Sequence, residues 1–231
     1  MATIFWASDS SVAANTYKKY PQQGIGQVLC LFVKSEYPIE NHARGGRSSK
    51  SFLSEGRLVP IEERIKEGDF LFIQFGGNDI KDYDPHRYTE PYTTFKECLE
   101  VYINAARAHG AYPVLITPVE RRCFDEEGQL GESTYFDYVE AMKQTAEKNQ
   151  VPLVDLNTAS RNKLREAGVE KSKDWYMCFP PNRYPGWPEG RDDRNHFRHE
   201  GAVVFASLIA KGLRELGGIY ADLILDDIEL D

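Results

Sequence analysis

The chain predicts an α/β fold: a single-domain three-layer α/β/α sandwich over residues 1–231, built on a five-stranded parallel sheet of flavodoxin-like order. Three observations predict it. Short runs of apolar, β-favouring residues recur at Thr3–Ala7, Pro38–His42, Asp69–Phe75, Tyr112–Thr117 and Pro152–Leu156. Between them lie longer stretches with apolar residues three and four apart, so strands and helices alternate as parallel βαβ units require. A length of 231 residues suits one such domain with a sizeable core.

Each element carries its own signal. The run Thr3–Ala7 stops abruptly at Ser8-Asp9-Ser10-Ser11, and this change from apolar to small polar residues marks a buried strand entering a loop. Helices are predicted over Gln27–Lys34, Val59–Lys66, Thr93–His109, Tyr135–Asn149, Ala159–Ala167 and His199–Leu216. Gly68, Gly110, Gly168 and Gly217 follow four of them, where a left-handed stop is expected. Two insertions break the pattern. Arg121–Leu130 holds a turn signal between apolar residues and predicts a small hairpin overhanging the strand ends. Asp174–Asp192 mixes Trp175, Tyr176, Phe179, Tyr184 and Trp187 with four prolines, which predicts a rigid aromatic loop, either a wall of the binding site or a mini-core that pins a long connection. The acidic tail from Asp222 to Asp231 predicts a short docked strand or helix.

Composition narrows the function. With 41% hydrophobic and 28% charged residues the chain reads as a soluble globule, and its apolar runs, such as Val28–Val33, are far too short to span a bilayer. A net charge of −8 works against nucleic acid and anionic membrane as partners. Cys30, Cys98, Cys123 and Cys178 are scattered without CxxC spacing, and Met1 leads directly into the first strand without a basic leader or cleavage site. Both point to a cytoplasmic enzyme with reduced thiols. Arg44, Arg47, Lys50 and Arg57 cluster locally, so a small anionic group can still be held at short range. Composition gives no reading of oligomeric state.

Four segments supply chemistry. Ser10 sits at a strand's carboxyl end, where open α/β sheets place ligands, although a serine there also suits a helix cap. Gly45-Gly46 after the second strand lets the backbone turn sharply and bring an N–H close to a ligand. Asn78, in Gly76-Gly77-Asn78-Asp79 after the third strand, offers an amide donor to a carbonyl oxygen or serves a turn. Asp193-Arg194-Asn195-His196 places a carboxylate three residues ahead of an imidazole, where a tight turn lets it take the Nδ1 proton and leave Nε2 as a base. The same spacing fits a cap or a metal pair, with His199 a third ligand, but no further cluster completes a metal site. Together they provide a nucleophile, oxyanion donors and an oriented base, the set that acyl transfer needs.

In order and content, Ser8-Asp9-Ser10-Ser11-Val12, Gly46, Gly77-Asn78-Asp79 and Asp193-x-x-His196 resemble the four blocks of the SGNH (GDSL-type) hydrolases. Asn41–Leu58 and Gln74–Asp79 further resemble the rhamnogalacturonan acetylesterases of carbohydrate esterase family 12. The resemblance implies the SGNH fold and a serine acyl-enzyme mechanism without cofactor or metal. Ser10 would be the nucleophile, His196 the base and Asp193 its orienter, with Ser10, Gly46 and Asn78 forming the oxyanion hole. The implied substrate and partner is an acetylated pectic oligosaccharide.

Two residues depart from the family's pattern: Ser8 stands where the first block usually has Gly, and Gly77 where acetylesterase relatives often have His. For the sugar, Trp175, Tyr176 and Trp187 offer stacking faces, and Arg47, Arg121, Arg122 or Arg183 can pair with a uronate. Another small acyl ester, such as acetylated xylan fragments, is the runner-up substrate. A catalytically silent sugar-binding domain is the reading from a different class. The lack of a P-loop and of a dense carboxylate cluster for Mg²⁺ argues against a phosphohydrolase using Asp9 and Asp79.

Overall fold

A computed structural model describes residues 1–228. Strands β1 (Ile4–Ser8), β2 (Ile39–Asn41), β3 (Phe70–Gln74), β4 (Tyr112–Ile116) and β5 (Leu153–Val154) form a parallel sheet in the order β2-β1-β3-β4-β5. The pattern predicts this sheet because consecutive apolar residues must serve both faces. Ile4, Trp6, Phe70 and Phe72 point into one core, whereas Phe5, Ala7, Leu71 and Ile73 point into the other. Helices α1 (Ser49–Ser54), α2 (Val59–Glu62), α3 (Lys96–Ala108) and α4 (Phe136–Asn149) accompany the second core, and α5 (Leu156–Ser172) and α6 (His199–Leu216) the first. The short α7 (Gly218–Ala221) follows, and Ile224 bridges to Val33; residues 229–231 of the predicted tail lie outside the described residues.

The strand order reverses between β1 and β3, the neighbours whose following connections leave in opposite directions. Such a switch point opens a crevice at the strands' carboxyl ends. Ser10 follows β1 and Asn78 follows β3, so the topology alone brings those two loops to one crevice.

Several elements differ from expectation, each for a local reason. In place of the helix expected over residues 27–34 stand two 3₁₀ turns, Ile25–Gln27 and Leu29–Leu31. The Gln27 amide is spent on the backbone of Asn15 and Gly24, and a Cβ at Gly24 would lie 2.3 Å from the Ala13 carbonyl, so packing overrides periodicity. The helix expected to reach Lys66 stops at Glu62, and Asp69 Oδ2 takes the Lys66 N–H at 3.0 Å. Gly168 interrupts α5 instead of ending it, and the helix begins early because Asp155 caps Thr158 at 3.1 Å. Helix α1 has no apolar periodicity to announce it; reciprocal bonds between Ser48 and Ser51 nucleate it as a capping box. Phe124 bridges Leu130 in the predicted small hairpin.

The largest departure concerns the aromatic insertion. Its flanks pair as an antiparallel ribbon, β6 (Tyr176–Phe179) with β7 (Arg191–Phe197), leaving residues 180–190 as the loop. Tyr176 pairs with Phe197 but Met177 pairs with Asp193, so Arg194, Asn195 and His196 are extruded as a three-residue bulge. Trp175 and Tyr176 are core residues, not sugar platforms. The Trp175 ring packs edge-on against Phe205, and the Tyr176 hydroxyl donates to the Glu120 carbonyl at 2.7 Å.

Candidate active site

The loop after β1 is shaped by Asp9, whose Oδ1 accepts from the Ser11 N–H and Oγ–H, both at 2.8 Å. This turn leaves Ser10 half-exposed. Ser8, the residue in place of glycine, is buried and donates its hydroxyl to the Gln74 carbonyl at 2.6 Å, tying β1 to β3. Its backbone φ is not positive, so the turn does not require glycine there.

The second loop crosses Ser10 at Gly45 and Gly46. Gly46 has φ +82°, a left-handed conformation that explains the residue type. Among the described residues the backbone N–H groups of Ser10 and Gly46 find no acceptor, so both are free for a ligand oxygen. Asn78 lies buried at the same crevice, with Nδ2 donating to the Arg47 carbonyl at 3.1 Å and to Asp9 Oδ2 at 3.3 Å. Asp79 fixes this turn from below, accepting from the Ser49 and Gly76 N–H groups and from the Thr89 hydroxyl. A Cβ at Gly77 would lie 2.9 Å from Asp9 Oδ2 and 3.9 Å from Tyr135 Oη. A histidine at that position would require Asp9 to move.

The bulge of β7 carries the base. Asp193 Oδ1 accepts the N–H groups of Asn195 and His196, both at 3.0 Å, which folds the extruded residues back over the carboxylate. Its Oδ2 lies 2.8 Å from His196 Nδ1, and His196 Nε2 lies 3.1 Å from Ser10 Oγ. Arg191, two positions before Asp193 along the strand, donates to the same Oδ2 through Nε at 3.1 Å and Nη2 at 2.6 Å. The Arg191 guanidinium rests 4.4 Å from the centroid of Trp187, whose Nε1 donates to the Tyr20 carbonyl. Burial works to raise the Asp193 pKa, but the bonds from His196 and Arg191 overcome it and hold the carboxyl well below the usual range. Asp9 is shifted the other way, raised by burial against the bonds from Ser11.

Ser10 stands where two lobes of one cleft meet. A lobe of about 360 Å³ runs past Thr16, Arg44 and Arg47, and one of about 420 Å³ past Lys81, Trp187, Arg191 and His196. Lys19 and Gly45 line both. Among the described residues neither lobe is lined by an acidic side chain, although the chain as a whole carries −8.

Ser10, Gly46, Asn78, Asp193 and His196 therefore converge, and Arg47 and Trp187 line the same cleft. The other predicted sugar-binding residues do not line these two lobes. Arg122 is buried and donates to the Ser172 hydroxyl and the Val169 carbonyl, so it braces α5. Arg183 faces a different groove, with Glu170 and Asp174 behind the ribbon. Arg121 is half-exposed but lines neither lobe. Sequence reading missed Lys19, Lys81 and Arg191. The signals were present, since Lys81 follows Asn78 by one turn and Arg191 shares a strand face with Asp193.

Comparison with known proteins identifies relatives of this chain. The model of the GDSL-like Lipase/Acylhydrolase family matches residues 6–204. Rhamnogalacturonan acetylesterase RhgT of Bacillus subtilis is 42% identical over 214 residues, covering 93% of this chain and 90% of the relative. Probable rhamnogalacturonan acetylesterase YesY of the same organism is 43% identical over 215 residues, 93% of each chain. The crystal structure of Bacillus subtilis YxiM superposes with a TM-score of 0.80 at 28% identity, over 94% of this chain but only 57% of that longer one. An acetyl xylan esterase from Geobacillus stearothermophilus, 15% identical with a TM-score of 0.62 over 91% of this chain and 94% of that one, shares the fold. By the match of its blocks, its sheet and its relatives, the chain belongs to the GDSL-like lipase/acylhydrolase (SGNH hydrolase) family.

Proposed function

We propose that this protein is a serine carboxylic-ester hydrolase that removes acetyl groups from rhamnogalacturonan oligosaccharides. The observation that carries the reading is the unbroken chain from Asp193 Oδ2 to His196 to Ser10 Oγ, at 2.8 and 3.1 Å, opening into a cleft walled by cations. Ser10 attacks the acetyl carbonyl while His196 Nε2 takes its proton, and Asp193 stabilises the imidazolium that forms. The oxyanion is received by the N–H groups of Ser10 and Gly46, and by Asn78 once its Nδ2 turns from the Arg47 carbonyl toward the ligand. His196 returns the proton to the leaving sugar hydroxyl. Water, activated by the same imidazole, then releases acetate from the acetyl-enzyme.

The lining separates a pectic substrate from a xylan one. Lys19 and Arg44 around Ser10, with Arg47 shared with Glu55 at 3.0 Å, favour a chain bearing uronate carboxylates, whereas a neutral xylan backbone gains little from them; Lys81 and Arg191 are engaged by Asn78 and Asp193. Beyond this cationic zone a groove of about 240 Å³, lined by Tyr17, Tyr20, Gln22, Gln23, Tyr184 and Glu200, offers aromatic faces and amides to the sugars that follow. The relatives named as rhamnogalacturonan acetylesterases support the same choice at 42–43% identity. Four free cysteines fit a reducing compartment, and we place the enzyme in the cytoplasm, acting on oligosaccharides. The test is acetate release from acetylated rhamnogalacturonan and acetylated xylan oligosaccharides, with Ser10→Ala as control. Preference for the pectic substrate supports the reading; equal or greater turnover of xylan fragments overturns it.

A further inference from the structure

The Asn78 amide is held from both ends. Lys81 follows it by three residues, and the turn between them, closed by the Lys81 N–H on the Asn78 carbonyl at 3.3 Å, brings Lys81 Nζ to 2.8 Å from Asn78 Oδ1. An ammonium can only donate, so this contact decides which end of the amide is oxygen and which is nitrogen. Asn78 Oδ1 faces Lys81, and Nδ2 faces Asp9 Oδ2 and the Arg47 carbonyl. Lys81 anchors the oxygen end of the amide, while Nδ2 exchanges its bond to the Arg47 carbonyl for one to the ligand oxygen. A positive charge on its oxygen also draws electron density from the nitrogen and makes the N–H groups stronger donors.

Lys81 is held in a mixed field. Burial lowers its pKa, Arg87 and Arg121 press in the same direction, and Asp9 and Asp84 pull it back. It lines the cleft together with Ser10, Gly46 and His196, so its charge lies on the side where the oxyanion forms. Nothing else among the described residues donates to Asn78 Oδ1.

We propose that Lys81 is a positioning residue of the hydrolytic reaction, orienting and polarising the Asn78 amide that receives the oxyanion. The proposal rests on the acyl-transfer reading of Asn78 and makes no claim about the sugar. A competing role for the same side chain, direct pairing with a substrate carboxylate, changes a different kinetic constant.

The experiment is a double-mutant cycle between Lys81→Met and Asn78→Ala, with Lys81→Arg as the conservative variant. kcat and KM are measured on neutral 4-nitrophenyl acetate and on an acetylated acidic oligosaccharide. We expect Lys81→Met to lower kcat on the neutral ester about tenfold with KM little changed, and Lys81→Arg to recover most of it. In the Asn78→Ala background the same change should alter kcat less than about threefold, because no amide is left to act upon. Equal losses in both backgrounds overturn the proposal. So does parental turnover of the neutral ester combined with a raised KM for the acidic substrate, the signature of a substrate contact. Circular dichroism checks folding, and Lys81→Gln, which keeps a donor without the charge, repeats the cycle if the methionine variant is unstable. Hydrolysis of the neutral ester through Ser10 without any action on pectic oligosaccharides would sink the substrate reading alone, leaving the Lys81 cycle to be judged on the neutral ester.

Discussion

Ser10 and His196 meet at 3.1 Å but are held by opposite means. Ser10 and Asn78 hang from the ends of β1 and β3, central strands whose residues are all buried and whose loops are locked by Ser8, Asp9 and Asp79. Asp193 and His196 sit in a bulge of a two-stranded ribbon, a structure of marginal stability by itself. That ribbon is pinned from outside: Phe197 packs on Phe205 at 4.8 Å, and Arg198 ties Tyr176 to Lys173 and Asp174. The nucleophile's position follows from the sheet, whereas the base's position follows from side chains added to it. Changes on the first side should therefore act on chemistry, and changes on the second on alignment.

Five substitutions probe this contrast. Ser10→Ala should lower kcat by on the order of 10⁴ or more on any ester, and adding His196→Ala should cost little further, because the two act as a unit. Independent losses in steady-state assays would break the pairing. Asn78→Ala should cost about 10²–10³ in kcat with KM nearly constant, as for the loss of one oxyanion donor; a tenfold or smaller loss would remove Asn78 from that role.

On the ribbon side, Arg191→Met should lower kcat/KM about tenfold, since one charged bidentate partner of Asp193 is lost while the His196 bond remains. The same variant carries a pH signature. The depressed Asp193 carboxyl contributes stability that is present above the ordinary carboxylate pKa of about 4 and is lost as pH falls through its lower folded value. Removing Arg191 takes away part of the depression, so denaturant titrations below about pH 4 should show the variant losing less stability on acidification than the parent. An unchanged slope would mean that Arg191 does not stabilise the ionised carboxylate. Smallest is Tyr17→Ala in the aromatic groove, expected to raise KM about threefold for long oligosaccharides and to leave 4-nitrophenyl acetate unaffected. Equal effects on both would place Tyr17 outside the substrate path.

How much of this was legible follows the same division. The sheet, its order and the residues at its strand ends could be read because apolar runs, glycines and polar switches are local patterns with local causes. The ribbon could not. Arg191–Phe197 is mostly charged or polar, and no alternation of apolar residues announces a strand whose faces are occupied by ion pairs. Trp175 and Tyr176 were misread for the related reason that aromatic character alone does not say whether a ring faces a ligand or Phe205. Arg122 shows the converse, a cation with its donors spent on Ser172 and Val169. Lys81 and Arg191 escaped notice because their importance lies in which oxygen they reach, a matter of ångströms that spacing only hints at.

The bulge of β7 has a mechanical consequence. Both ends of the Asp193–His196 bond, and the two amides that fold them together, belong to one stretch of four residues. A swing of the ribbon would carry carboxylate and imidazole as a single cartridge, with the tautomer intact, and stretch the gap to Ser10 together with the bonds from the Arg122 N–H and the Tyr135 hydroxyl that tie the bulge down. Assembly of the base and its alignment with the hydroxyl are therefore separate jobs: the first is done within four residues, the second by the contacts that pin the ribbon.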